Sequence, residues 1–236
     1  IGYRIGNDGI MSIIDVNLNY DESGSNYTST RNILANTGTL TISNSSVTGL
    51  KINYGELRGL YNTGDINASD SSIELDKNNT SGNLYGIYNE KGTINLDNLD
   101  MSVVNGTASY GIYVKNGDVS LKSGTISAQN NKISYGIYIE NGTVTMGEKE
   151  DESGTNYGTI NADVSVTNPS IIAISNTLGI GVKRVNGYFN YYDGIITGST
   201  NAKPDVTSTV EYKYQVENHV DPTTGYEYCI LEYMKE

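Results

Sequence analysis

The sequence predicts an all-β fold: a right-handed parallel β-helix, a solenoid of about seven three-strand coils, with a C-terminal antiparallel β-hairpin as its cap. Three observations carry this. Tyr85-Gly86-Ile87-Tyr88 returns as Tyr110-Gly111-Ile112-Tyr113 and as Tyr135-Gly136-Ile137-Tyr138, 25 residues apart each time, and Arg58-Gly59-Leu60-Tyr61 is a fourth copy 27 residues upstream. After each copy comes a short turn and a Gly that opens a second strand, at Gly64, Gly92, Gly117 and Gly142; Gly9, Gly38 and Gly187 fit the same grammar. No stretch holds apolar residues at i, i+3, i+4 and i+7 over three turns, while Tyr, Ile, Val and Thr abound. Self-similarity at a fixed period of roughly 20–50 residues marks a solenoid, a propeller or an array.

Within one period the pattern resolves into three short strands. In the copy starting at Tyr110 they are Tyr110–Val114, Asp118–Leu121 and Thr125–Ala128, separated by polar turns containing Gly117 and Gly124. Alternation by two turns Ile112, Val114, Val119, Leu121, Ile126 and Ala128 inward. The same rule selects Ile87, Ile94, Leu96, Met101 and Val103 one copy earlier, and Ile137, Ile139, Val144 and Met146 one copy later. A propeller blade needs about 40 residues, too many for this period, whereas one coil of a parallel β-helix fits. Coils stacked at ~4.8 Å set like residues above like, so seven of them form a rod of roughly 35 Å. Each buried Ile or Leu then contributes roughly 1.5–3 kcal/mol. No coil can bury its apolar face alone, which is why the unit repeats. The right hand of the winding follows from the general crossover rule and not from particular residues.

Two polar insertions interrupt the period and nearly copy one another: Tyr20-Asp21-Glu22-Ser23-Gly24-Ser25-Asn26-Tyr27 and Asp151-Glu152-Ser153-Gly154-Thr155-Asn156-Tyr157. The second lies in a coil of 45 residues from Gly142 to Gly187, which implies either about 20 inserted residues or an additional irregular turn. From about Lys203 the pattern changes to two longer alternating runs, Val210–Val220 and Tyr226–Met234, around Asp221-Pro222-Thr223-Thr224-Gly225. That is the signature of an antiparallel hairpin. Residues 1–202 are therefore expected to form the β-helix and 203–236 its cap.

Composition narrows the function. The 236 residues include 27 acidic against 15 basic side chains, a formal net charge of −12, one Cys, one His and no Trp. Phosphate binding needs clustered Lys and Arg, so a nucleic-acid groove is excluded. No run approaches the ~18 apolar residues of a membrane span. A single cysteine, Cys229, rules out an internal disulfide and a Cys-based zinc site; it reads as a small packed residue or an exposed thiol. The start at Ile1, without Met or a signal peptide, suggests an excised or matured fragment of a larger multi-module chain.

The run from Gly187 to Ala202 (GYFNYYDGIITGSTNA), lying after the Tyr-Gly-Ile-Tyr coils and before a Tyr-rich hairpin, resembles segments of large surface or secreted proteins of gut Firmicutes. Those proteins in turn resemble parallel β-helix adhesins of the pectin-lyase-like type. The resemblance implies an extracellular or bacterial cell-surface location and transfers no catalytic residue.

Tyr61, Tyr88, Tyr113 and Tyr138 have the parity opposite to their inward Leu or Ile neighbours and should form an outward row. Such a row offers a contact surface for glycans or an extracellular protein, and the plainer reading is that it stabilises neighbouring coils. Asp21, Glu22, Tyr27, Asp151, Glu152 and Tyr157 of the paired insertions are the other candidate binding residues. Tyr85, Tyr110 and Tyr135 have core parity at a strand start and read as corner packing. Neither the calcium-binding spacings nor paired carboxylates with a grouped base emerge, so no metal, cofactor or catalytic residue is assigned. The expected function is a non-catalytic adhesin-like or display module. The alternatives are a polysaccharide lyase or glycoside hydrolase of the β-helix type, and a passive stalk or spacer.

Overall fold

The computed structural model describes residues 5–21, 29–52, 55–77, 81–130, 132–147, 169–209 and 214–233. The chain winds through seven stacked coils. Coil 1 holds β1 (Ile5–Asn7), β2 (Ile10–Ile14) and β3 (Asn17–Asp21); coil 2 holds β4 (Arg31–Asn36), β5 (Thr39–Ser43) and β6 (Ser46–Ile52). In coil 3, β7 (Leu57–Asn62) leads into β8 (Asp65–Lys77), and in coil 4, β9 (Leu84–Asn89) leads into β10 (Thr93–Val104). Coil 5 comprises β11 (Ala108–Val114), β12 (Asp118–Leu121) and β13 (Thr125–Asn130). Coil 6 comprises β14 (Ile133–Ile139), β15 (Thr143–Met146) and β16 (Ser170–Ser175); coil 7, β17 (Leu178–Arg184), β18 (Tyr188–Tyr191) and β19 (Ile195–Gly198). Past the coils come β20 (Ser208–Thr209), β21 (Tyr214–Val220) and β22 (Glu227–Tyr233).

First strands pair with first strands in a seven-stranded sheet, β1-β4-β7-β9-β11-β14-β17. Second and third strands form two further parallel columns, joined because β8 and β10 run on through the corner between them. That corner bends at Asp70 and Asn98, both with positive φ (47° and 52°), and Asp15 and Asn44 make the same bend in coils 1 and 2. Asx side chains tolerate this conformation best after glycine. Here they also bond along the column, Asn98 Nδ2 donating to Asp70 Oδ1 at 2.8 Å.

The interior is a set of single-type ladders. Leu34, Leu60, Ile87, Ile112, Ile137 and Val182 face one another in register through six coils, each at most 4% exposed. Leu40, Ile66, Ile94, Val119, Val144 and Phe189 form a second ladder, and Val47, Ile73, Met101, Ile126, Ile171 and Ile196 a third. A fourth is polar. Asn7, Asn36, Asn62 and Asn89 are buried at the corner after the first strand, and each donates its amide to the next: 2.7 Å from Asn7 to Asn36, 2.8 Å from Asn36 to Asn62 and 3.0 Å from Asn62 to Asn89. These four are extended strand residues whose role is a buried hydrogen-bond chain, whereas Asn44, Asn98 and Asn105 take positive φ.

Two residues beyond the first three rungs of that column, and three beyond Asn89 and its later counterparts, the seven predicted corner glycines stack. A Cβ on Gly64 would sit 2.1 Å from the Gly38 carbonyl oxygen, and one on Gly117 2.3 Å from that of Gly92. The backbones of successive coils pass too closely there for any side chain.

The long coil is an insertion at one corner, not an extra turn. β12 gives way to β13 within three residues, whereas β15 ends at Met146 and β16 begins at Ser170, and both still pair in register with coils 5 and 7. The two near-identical acidic segments depart from different corners: one after β3, between coils 1 and 2, the other between the second and third strands of coil 6. The insertions are thus not presented from one common corner.

The hairpin closes the C-terminal end. β21 and β22 pair antiparallel, and β22 lies antiparallel on β19 with Cys229 opposite Ile196. Cys229 and Leu231 enter the core, and the buried Tyr191 hydroxyl donates to the Gly194 carbonyl at 2.6 Å, with the Cys229 carbonyl at 3.1 Å sharing that one proton. Burial pushes the Cys229 thiol up to about 12, so it is the packed residue of the two readings and not an exposed thiol. Since the thiolate is the nucleophile, an aromatic disulfide reagent is expected to leave the native chain unlabelled for hours and to label one thiol promptly in denaturant. Prompt native labelling would show that the cap opens.

Candidate functional site: a double column of tyrosines

The first sheet carries the most distinctive surface. Its strands repeat Tyr-Gly-Ile-Tyr, and strict alternation would send the first Tyr and the Ile to the same side. The structure breaks that alternation at the glycine. A Cβ on Gly86 would meet Met101 Sδ at 2.1 Å, and one on Gly111 would meet Ile126 Cγ2 at 2.4 Å, so the glycines face the core. The following Ile87 and Ile112 face it too, both fully buried. Two successive inward residues require a bend, and the register of paired residues passes over the glycine, from Tyr110–Tyr135 directly to Ile112–Ile137. Both tyrosines of each strand therefore end on the outer side. This corrects the corner-packing reading of Tyr85, Tyr110 and Tyr135.

Two ring columns result. Tyr61, Tyr88, Tyr113 and Tyr138 lie in register as expected, with centroids 5.9, 4.9 and 5.1 Å apart, the last two pairs within 11° of parallel. Tyr85, Tyr110 and Tyr135 stack beside them at 4.8 and 5.2 Å. Across the columns the rings meet edge to face, at 5.3 Å for Tyr85–Tyr88 and 5.5 Å for Tyr110–Tyr113. Offset stacks and edge-to-face contacts are the favourable geometries for aromatic quadrupoles, each pair adding about 0.5–1.5 kcal/mol beyond area burial. Ring faces inside the columns are spent on one another. Tyr88 is 9% exposed, and Tyr61, Tyr113 and Tyr138 are half-buried.

Charged side chains frame the array. Arg58 occupies the rung below Tyr85, its guanidinium carbon 3.8 Å from the Tyr88 centroid and 5.2 Å from that of Tyr61, while Nη2 pairs with Glu56 at 2.7 Å. Along the rim Lys115 pairs with Glu90 at 2.6 Å, and the Tyr113 hydroxyl donates to Glu140 Oε2 at 2.5 Å. Burial, with smaller pushes from neighbouring phenols and Glu140, raises the Tyr110 and Tyr113 hydroxyls well above the usual phenol range. They remain neutral donors at any physiological pH. Sequence reasoning missed Tyr85, Tyr110, Tyr135 and Arg58; the Gly between Tyr and Ile was the available signal.

The other candidates are placed less fully. Asp21 ends β3 and is exposed; Glu22, Tyr27, Asp151, Glu152 and Tyr157 lie outside the described residues. A second, shallower feature is a groove of about 300 Å³ on the outer face of the second-strand column, lined by Thr41, Asn67, Asn95, Asp97, Ser120 and Lys122. Its walls combine hydroxyls and amides, with Asn95 Nδ2 donating to Asn67 Oδ1 at 2.9 Å, and an Asp97–Lys122 ion pair at 3.6 Å. Among the described residues no three His, Cys, Asp or Glu converge as a metal site would require. No helix among them is long and apolar enough to cross a membrane.

Fold and surface together define the class: a parallel β-solenoid bearing an aromatic ladder on its first sheet. Comparison with known proteins returns no matching family model, no matching curated protein and no matching solved structure.

Proposed function

We propose that this chain is a non-catalytic binding and display module, secreted or held at a bacterial cell surface, whose contact surface is the double tyrosine column. The observation that supports it is the outward placement of seven tyrosines in two adjoining stacks. A surface of phenol edges and neutral hydroxyls, already ordered by mutual stacking, loses little side-chain entropy on contact and offers apolar area and hydrogen bonds together. That chemistry suits a glycan chain or an extracellular protein strand laid along the solenoid axis. The extracellular assignment leans on the likeness of the Gly187–Ala202 region to segments of large surface or secreted proteins of gut Firmicutes.

The test is a glycan and matrix-protein array probed with the wild type and with Tyr138→Phe, which keeps the stack and removes one hydroxyl. Binding by the wild type, weakened about fivefold in Tyr138→Phe at unchanged thermal stability, is the expected result; fivefold corresponds to about one hydrogen bond. An array without hits would leave the stalk reading standing. Product release from plant or host polysaccharides would replace the proposal with a lyase or hydrolase.

A further inference from the structure

Every corner glycine from coil 2 onward is demanded by the coil before it. A Cβ on Gly38 would lie 2.0 Å from the Gly9 carbonyl oxygen, and one on Gly92 1.9 Å from that of Gly64. Gly9 is different: a Cβ there would meet nothing within 4 Å, and its φ is not in the left-handed region. Nothing among the described residues requires glycine at that position. The direction a Gly9 side chain would take is where, in every later coil, the carbonyl of the preceding corner glycine lies.

Two independent features of coil 1 point the same way. The buried asparagine chain has a direction. Asn62 Oδ1 accepts both from the preceding rung, Asn36 Nδ2, and from its own turn, Gly64 N, at 2.8 and 3.2 Å. Asn7 Oδ1 accepts from Gly9 N at 3.2 Å, and among the described residues no preceding amide donates to it. The apolar ladders also stop uncovered. Ile5, Met11 and Leu18 are only partly buried, whereas their successors Leu34, Leu40 and Val47 are at most 2% exposed.

We infer that the N-terminal face of coil 1 seats a further coil of the same grammar, parallel and in register, supplied by the same polypeptide from the residues upstream of Ile1. This coil carries a glycine opposite Gly9 and an amide donor opposite Asn7. The four residues before Ile5 are too few: adjacent corner glycines stand at least 25 residues apart. A second copy does not serve. Head-to-tail stacking would need an open C-terminal end, and the hairpin closes that end by pairing β22 on β19. A two-fold pair of N-terminal faces would run antiparallel and would not stack corner on corner.

The test extends the chain by the roughly 30 upstream residues of its parent reading frame, about one coil, and reads amide exchange in β1–β3, sedimentation and thermal midpoint. Added protection of β1–β3 in a monomer is the expected result. Gly9→Ala should shift the 236-residue chain by no more than about 1 °C and lower the extended chain by several degrees, as Gly38→Ala should in both. The inference is overturned if Gly9→Ala is silent in both chains, or if β1–β3 exchange alike with and without the extension. It is also overturned if the 236-residue chain protects that edge by dimerising, or if the parent frame encodes no such coil.

Discussion

Gly92→Ala is expected to destabilise the chain by about 3 kcal/mol. The added methyl group lands 1.9 Å from the Gly64 carbonyl oxygen, and the backbone at position 92 holds φ at +88°. Overpacking typically costs ~1–3 kcal/mol and the left-handed backbone another ~1–2 for a residue bearing Cβ. For a chain of this length, that lowers the thermal midpoint by roughly 6–12 °C. Two controls separate the terms. Gly225→Ala carries the left-handed φ (+73°) with no atom within 4 Å of the new Cβ, and Gly9→Ala carries neither penalty. Tyrosine fluorescence reports the transition without interference, as the sequence has no Trp and 20 Tyr. If Gly92→Ala unfolds no earlier than Gly225→Ala, the close stacking of corners is wrong.

Asn62→Ala is the second large effect, about 3–5 kcal/mol. Its amide donates to the Gly64 carbonyl at 2.8 Å and to Asn89 Oδ1 at 3.0 Å, and its own oxygen accepts from Asn36 at 2.8 Å. Truncation takes the partner from the Asn89 oxygen and from the Gly64 N–H, each such loss costing roughly 1–3 kcal/mol, while the Asn36 amide keeps the Gly38 and Asp65 carbonyls. A hydrogen-bond chain should also show coupling. The pair Asn36→Ala with Asn62→Ala should cost clearly less than the sum of the singles, because each truncation alone already removes the one hydrogen bond the two residues share. Strict additivity in urea unfolding would argue that the amides act separately.

Much of the architecture was legible because the repeat carries its own alignment. All seven corner glycines were visible before any coordinates, since close backbone approach admits no substitute and so marks every coil alike. Asp118–Leu121 is a strand with those very limits, and the alternation assigned its inward residues correctly. Two things stayed hidden for identifiable reasons. The tyrosine columns were half-read because alternation holds only while the strand is regular, and a bare glycine against Met101 or Ile126 lets two neighbours turn inward together. The asparagine chain was unread because its spacing drifts, 29, 26 and 27 residues, and because the column turns apolar at Val114 and Ile139. Period alone does not single out a column that changes chemistry midway.

That drift in spacing bears on how such a rod can grow or shrink in a genome. From Tyr85 to Tyr138 successive coils match residue for residue at 25-residue spacing, so unequal crossing-over there adds or deletes a complete unit with its corner glycine and both rings intact. Among coils 1 to 3 the corner spacing drifts (29, 26 and 28 residues to the next corner glycine), so the same exchange there would join coils out of step and be selected against. Length variation among natural alleles should therefore concentrate in the central coils, with the asparagine-bearing portion constant in size.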